Sequence, residues 1–249
     1  MVDYDERMPT ARTSTTAADP ELVWYAAYGS NANPERLRWY RDGIVAPAAG
    51  DPSPAPATRA ARAAPPLPGG TGRAATGFRD RTPPARSVGL TLPGLLYFAT
   101  ESAIWTGGRA FYDPDAPAGT PVRAYLLTRA QFGDLVAQEM YRPPEADPDL
   151  TEAVRNGRCR LGPGRYETVV CPGTFEGIPI LTFTAPWRWR DVPGNPPAPA
   201  YLRHIALGVR AAHGWSLREV SGYLASRPGA AGHWTPDALA AALGEPGRA

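Results

Sequence analysis

Apolar residues recur along this chain first with the period of strands and later with that of helices. Leu22 to Tyr28 is an uncharged run of aliphatic and aromatic side chains bounded by Gly29-Ser30-Asn31, the pattern of a strand buried on both faces that ends in a tight turn. A helix is expected directly after it: Asn33 is a good N-cap, Pro34 fits the first helical position, Arg36, Leu37 and Tyr40 follow, and Gly43 supplies the stop. Leu90 to Ala99 reads as a second strand bent at Pro93-Gly94, and Val122 to Leu127 as a third. Thr128-Arg129-Ala130-Gln131 is a capping box, so a second helix opens there with Phe132, Leu135, Val136 and Met140 as its apolar positions. Tyr166 to Cys171 and Ile178 to Thr184 form a hairpin joined through Pro172 to Gly177. The last third is helical. Tyr201, Leu202, Ile205 and Val209 make one stripe ended by Gly214, Ser216 to Glu219 is a second capping box leading into Val220 and Leu224, and Thr235-Pro236 starts a short helix ended by Gly244.

Two stretches interrupt this order. Residues 1–20 mix charge, Thr and Ala without periodicity and are expected to form a disordered tail. Residues 46–86 are dominated by Pro, Ala, Gly and Arg, a composition that cannot fill a core, so they read as a flexible insertion or a lid, with Arg79-Asp80-Arg81 folding back onto the body. The expected organisation is therefore a main domain over 21–226 carrying that insertion, with a C-terminal helical extension over 227–249.

Composition narrows the chemistry. The 249 residues are 43% hydrophobic, enough for one domain with a full core. No apolar run reaches the length of a membrane span and the N-terminus lacks the apolar core of a signal peptide, so a cytoplasmic protein without membrane contact is expected. All 26 basic residues are arginine, which excludes a lysine Schiff base and a P-loop lysine. With a net charge of +2 and arginines spread along the chain, no nucleic-acid partner is expected. Cys159 and Cys171 make neither a disulfide framework nor a zinc set, and His204, His213 and His233 have no metal-ligand spacing, so neither metal nor organic cofactor is expected.

Two places can carry function. Gly29 to Asn31 lie between a strand end and a helix start, where unpaired N–H groups converge on an anion; such a tripeptide also occurs merely because a turn needs positive φ and a cap. The second is Glu139. Counting from Phe132, residues Leu135 and Val136 stand at i+3 and i+4, and the i+7 place on that inward stripe is a glutamate. Desolvation on an apolar stripe favours the protonated carboxyl, which suits a general acid or base near neutral pH; the alternatives are a side chain curling out to water or an ion pair with Arg142. Glu101 and Arg109 read more readily as a solvated and a packing residue, and Trp187 and Trp189 as packing at a sheet margin.

Tyr28-Gly29-Ser30-Asn31 after the first strand, followed by an aliphatic strand, a capped helix carrying Gln138-Glu139, a Tyr-led hairpin and a Pro-Tyr approach to a helix, resembles the γ-glutamylcyclotransferase-like family. The resemblance covers about residues 23–224 in order of elements and is close at residue level only at the tetrapeptide and at Gln138-Glu139. It implies an α+β fold with a small mixed β-barrel flanked by helices. It implies that Tyr28, Gly29, Ser30 and Asn31 bind the α-amino acid end of a small-molecule γ-glutamyl substrate, and that Glu139 is the catalytic acid and base releasing 5-oxoproline and a free amine. Two departures stand out: the family glutamate is often followed by glycine, whereas Met140-Tyr141 follows here, and the insertion over 46–86 has no counterpart in compact members. An acyl transferase or amide hydrolase using the same pocket, or a non-catalytic binding member of the fold, are the competing readings.

Overall fold

Leu22–Ala27, strand β1, occupies the middle of the sheet, and its uncharged composition follows from that position. The computed structural model describes residues 20–43 and 76–244, so the tail reading for 1–19, the insertion reading for 46–75 and the last five residues of the C-terminal extension lie outside the described residues. β1 pairs antiparallel with β5 (Gly119–Thr128), Tyr25 facing Tyr125, and parallel with β8 (Ile178–Thr184), where Trp24 and Tyr25 stand beside Ile180 and Leu181. The sheet continues outward to β2 (Ser87–Pro93) on one side, and to β7 (Thr168–Phe175) and β6 (Arg158–Arg160) on the other, in the order β2-β5-β1-β8-β7-β6.

Alternation along β1 feeds two separate apolar layers. Trp24, Ala26 and Tyr28 pack with Leu202, Ile205 and Val209 of α4 (Pro199–His213), Val220 and Leu224 of α5 (Leu217–Ala225), and Leu239 and Leu243 of α6 (Pro236–Gly244). Val23, Tyr25 and Ala27 pack on the opposite face with Phe132, Leu135 and Val136 of α2 (Arg129–Glu139) and Ala153 of α3 (Thr151–Asn156). The fold is mixed α+β, with helices on both sides of the sheet. Residues 227–244 share the core of α4 and α5 through Leu239 and Leu243, so this part of the C-terminal extension belongs to the same body.

The expected barrel is not closed among the described residues. Leu90 to Ala99 does not run as one bent strand, because Gly94, at φ +111°, turns the chain out of the sheet after Pro93. A Cβ at Gly94 would stand 2.7 Å from the Asp113 carbonyl oxygen. Leu95–Ala99, β3, therefore pairs instead with β4, Arg109–Asp113, as a separate ribbon. The ribbon meets the sheet through a side chain: the Tyr112 N–H donates to Thr184 Oγ1 at 2.9 Å and the Thr184 hydroxyl donates to the Tyr112 carbonyl at 2.7 Å. Across the sheet, the hairpin turn is shorter than the sequence suggests. Only Glu176 and Gly177, both at positive φ, make the reversal, and Pro172 to Phe175 continue β7 past a register shift between Val170 and Gly173.

Both predicted capping boxes form, at Thr128/Gln131 and Ser216/Glu219, and Asn33 caps α1 (Pro34–Asp42) by accepting from the Glu35 N–H at 3.0 Å. The described end of the Pro-rich segment packs onto the body at Phe78 and Arg79. Phe78 is buried, and Arg79 donates from its backbone N–H and its Nε to Asp134, a fully buried carboxylate on α2. That contact ties the fold-back of Arg79 to a polar face of α2 which the apolar stripe does not reveal.

One close approach sets where the turn after β1 sits. The single 3₁₀ turn Ser30–Ala32 rests on α4 at Gly208, where a Cβ would overlap the Ala32 carbonyl group. Gly208→Ala should therefore destabilise the protein by roughly 1–3 kcal/mol through overpacking, read from urea unfolding. Gly222→Ala in α5, where the added Cβ meets nothing within 4 Å, should instead stabilise by about 0.5–1 kcal/mol.

Candidate active site

The end of β1, the first turn of α1 and the last turn of α2 converge on one cleft that is open to solvent. Tyr28, Gly29, Ser30, Asn31 and Glu139, the five residues singled out from sequence, all line it. The decisive contact joins the two candidate elements across 108 residues of chain: Asn31 Nδ2 donates to Glu139 Oε1 at 2.9 Å. The same amide nitrogen lies 3.2 Å from the Tyr25 hydroxyl, which it serves as a donor. Since a carboxylate only accepts, this fixes the amide orientation and leaves Asn31 Oδ1 buried, with no hydrogen-bond partner among the described residues.

Glu139 is half-buried at the very end of α2, one turn beyond the buried Leu135 and Val136. The Tyr40 hydroxyl lies against its carboxylate. Arg142, the ion-pair partner considered from sequence, is taken by Glu167 instead, and Glu167 also accepts from the Gly164 N–H at 2.6 Å. No salt bridge to Glu139 is formed among the described residues.

Gly29 does not serve the turn through its φ, which is −98°. An added Cβ would lie 3.4 Å from the Tyr201 hydroxyl in the cleft wall, close to ordinary van der Waals contact. Tyr28 is buried in that wall and donates to the Phe183 carbonyl at 2.7 Å, while Tyr166 donates to the Ala110 carbonyl at 2.9 Å. Burial, and then the charge of Glu139, raise the Tyr25 and Tyr40 hydroxyls above their ordinary range, so these rings stay protonated.

Sequence reading missed the cations. Arg36, Arg109 and Arg165 all line the cleft beside the one carboxylate of Glu139. Arg109 is half-buried on β4, reaching the Thr100 hydroxyl at 3.2 Å, and is thus a wall residue of the cleft where a packing role was expected. Arg165 lies over the rings of Tyr141 and Tyr166. Arg36 could have been found: the Asn33 cap fixes the phase of α1, and Arg36, Trp39 and Tyr40 at i, i+3 and i+4 share a face. Glu101 is exposed, does not line the cleft, and accepts from Asn195 at 2.7 Å. Trp187 packs edge-on against Phe111. No group of three or more His, Cys, Asp or Glu arranged to hold a metal occurs among the described residues.

No family model matches the chain. Among curated proteins it is similar to histone deacetylase 5 of Arabidopsis thaliana, 28% identical over 221 residues, a match covering 81% of this chain and 30% of that protein. The chain thus spans under a third of the length of the curated relative it matches. Among solved structures it is similar to an uncharacterized human protein, with a TM-score of 0.44 at 17% identity over 84% of this chain and 90% of that one. It is also similar to a gamma-glutamyl cyclotransferase, with a TM-score of 0.42 at 16% identity over 84% of this chain and 89% of that one.

Behind the cleft, His204 on α4 ties α1 to the core. Its Nδ1 lies 3.1 Å from Asn33 Nδ2, which donates to the neutral ring. Burial, then the charges of Arg36 and Arg203, lower its pKa to about 4. In the unfolded chain a histidine titrates near about 6.5, so between these values the unfolded state binds a proton that the folded state refuses. Stability present above pH 6.5 is therefore lost as pH falls toward 4, and His213, also lowered by burial, adds in the same direction. Urea unfolding should give a lower midpoint at pH 5 than at pH 7, and His204→Gln, which keeps an acceptor for Asn33, should shrink that difference. An equal drop in both proteins would remove His204 from the account.

Proposed function

We propose that the protein cleaves a γ-glutamyl amide by intramolecular cyclisation, releasing 5-oxoproline and a free amine, with Glu139 as general base and then general acid. The observation that carries this reading is the Asn31–Glu139 contact in a tyrosine-lined cleft, where the carboxylate is held by an amide N–H and has no salt bridge among the described residues.

The chemistry follows from that pairing. An α-ammonium group needs hydrogen-bond acceptors, and the Glu139 carboxylate provides one in this reading. Glu139 takes one proton, the freed amine attacks the γ-carbonyl carbon, and a new C–N bond closes a five-membered ring. Collapse of the tetrahedral centre breaks the original amide C–N bond as Glu139 gives its proton to the leaving nitrogen; the carboxylate, free again, takes the second proton from the ring nitrogen and passes it to the released amine, which departs as an ammonium ion. Nucleophile and electrophile belong to one molecule, so folding the glutamyl chain over is the main demand on the site, and effective molarities of about 10⁵ M or more are open to well-oriented ring closures. Tyr28, Gly29, Ser30 and Asn31 bind the α-amino acid end in this reading. Asn31 Nδ2 holds the carboxylate of Glu139 in place, and the step as written uses neither metal nor organic cofactor.

The test is a panel of γ-glutamyl amides incubated with the purified protein, with 5-oxoproline measured directly. Glu139→Gln keeps an oxygen for the Asn31 donor but removes the proton acceptor, so kcat should fall by about 10² to 10⁴ while KM changes little. Full turnover in that variant would exclude Glu139 as the base, and absence of 5-oxoproline from every γ-glutamyl amide would exclude the reaction.

A further inference from the structure

We propose that Arg36 is the carboxylate anchor of the cleft: a cation held in an aromatic cradle, without a protein counter-ion, for an anionic group of the ligand. The inference deepens the reading above and rests on it only for the γ-glutamyl skeleton of the ligand.

Arg36 is 6% exposed, yet it forms no ion pair among the described residues, and its Nε has no hydrogen-bond partner. Its guanidinium carbon sits 4.9 Å from the Trp39 ring centroid, 5.2 Å from that of Tyr40 and 5.7 Å from that of Trp105. Two of these rings come from its own helix and the third from the loop after β3, so the cradle is assembled by the fold and not by helix periodicity alone. Aromatic faces attract a cation, but they offer no hydrogen-bond acceptor for its N–H groups. A guanidinium removed from water and left with unsatisfied donors is unfavourable unless something else meets them. Its planar fork matches a carboxylate in two parallel bonds.

The other charges of the cleft point the same way. Three arginines face one carboxylate, Glu139, and the nearby Glu167 is engaged by Arg142. Among the described residues the cleft therefore carries two positive charges more than it balances. A neutral or cationic ligand would leave that excess in place, whereas a carboxylate at Arg36 removes part of it. Tyr40 links this place to the proposed chemistry, because its ring lies under Arg36 and its hydroxyl lies against Glu139. One short ligand can thus reach both. The carboxylate has two sources in a γ-glutamyl dipeptide, the α-carboxylate of the glutamyl half or a carboxylate on the amine half, and the chemistry at Arg36 is the same for either.

Binding is read without turnover, by calorimetry and by the tryptophan fluorescence to which Trp39 and Trp105 contribute. The probes are glutarate, its monoamide and its uncharged diamide. Glutarate should bind the wild-type protein and the diamide should not compete with it. Arg36→Gln should weaken glutarate at least tenfold, and Arg36→Lys, which keeps the charge but loses the fork, should fall between. Circular dichroism and thermal midpoints on both variants identify any loss that is only unfolding, in which case the lysine variant carries the comparison. Glutarate affinity unchanged in a folded Arg36→Gln protein, or equal competition by the diamide, would overturn the proposal. γ-Glutamylethylamide and γ-glutamylalanine then separate the sources: sensitivity of both to Arg36→Gln assigns the α-carboxylate, and sensitivity of γ-glutamylalanine alone assigns the amine half. Arg36-dependent glutarate binding without 5-oxoproline formation from any amide leaves the anchor standing and removes the cyclisation. Turnover with an unchanged KM in Arg36→Gln does the reverse.

Discussion

Two-sided burial of β1 is the constraint on which the rest of this structure depends. A strand with a solvated face can slip in register at moderate expense, but one whose alternate residues feed two cores cannot, because a one-residue shift would exchange Trp24 and Tyr25 between layers built to different shapes. Its neighbours are fixed in consequence: β5 antiparallel on one side, β8 parallel on the other. The chain leaving its C-terminal end is then delivered to one place, the 3₁₀ turn Ser30–Ala32, pressed on α4 at Gly208 and held by the Tyr125 hydroxyl through the Asn31 and Ala32 carbonyls at 3.0 Å. Asn31 is positioned by the core before it meets any ligand.

Glu139 reaches the same place by an independent route. The capping box at Thr128 starts α2 directly from the end of β5, the neighbour of β1, so the helix phase is set by the same sheet that sets the turn. Eleven residues later the helix ends with the glutamate beside Asn31. Rigid elements on both sides of the hydrogen bond are what the proposed proton transfer needs, since misplacement of about 1 Å can reduce rate a hundredfold.

Much of this was legible because it rests on local rules. The uncharged run of β1, the Asn33 cap, the two capping boxes and the i, i+3, i+4, i+7 count that singles out Glu139 need only the sequence. What escaped was decided by distant segments. The buried polar face of α2, with Asp134 bound to Arg79 and Gln138 bound to the backbone of Gly77, exists because residues 76–82 lie across it, and no periodicity in α2 announces that cover. Leu90 to Ala99 reads as one strand, yet Gly94 divides it between two sheets, and the barrel implied by the resemblance stays open as a result. Arg109 reads as a packing residue, and it becomes a cleft residue only through the pairing of β4 with β3.

The end of α2 shows how the departure from a glycine after the glutamate is accommodated. Met140 caps the helix with an ordinary negative φ, and the left-handed position falls one residue later, on Tyr141 at φ +59°. Glycine is the usual occupant of such a position, and a side chain there costs about 1–2 kcal/mol. Here the strained residue has a use, because the Tyr141 ring lies 5.2 Å from the guanidinium carbon of Arg165 and both residues line the cleft. A glycine would relax the backbone but remove one of the two rings that hold Arg165, the other being Tyr166. Backbone strain at a helix end thus accompanies a cation placed in the cleft wall, the kind of local conflict that would fit the ligand-binding role proposed for this cleft.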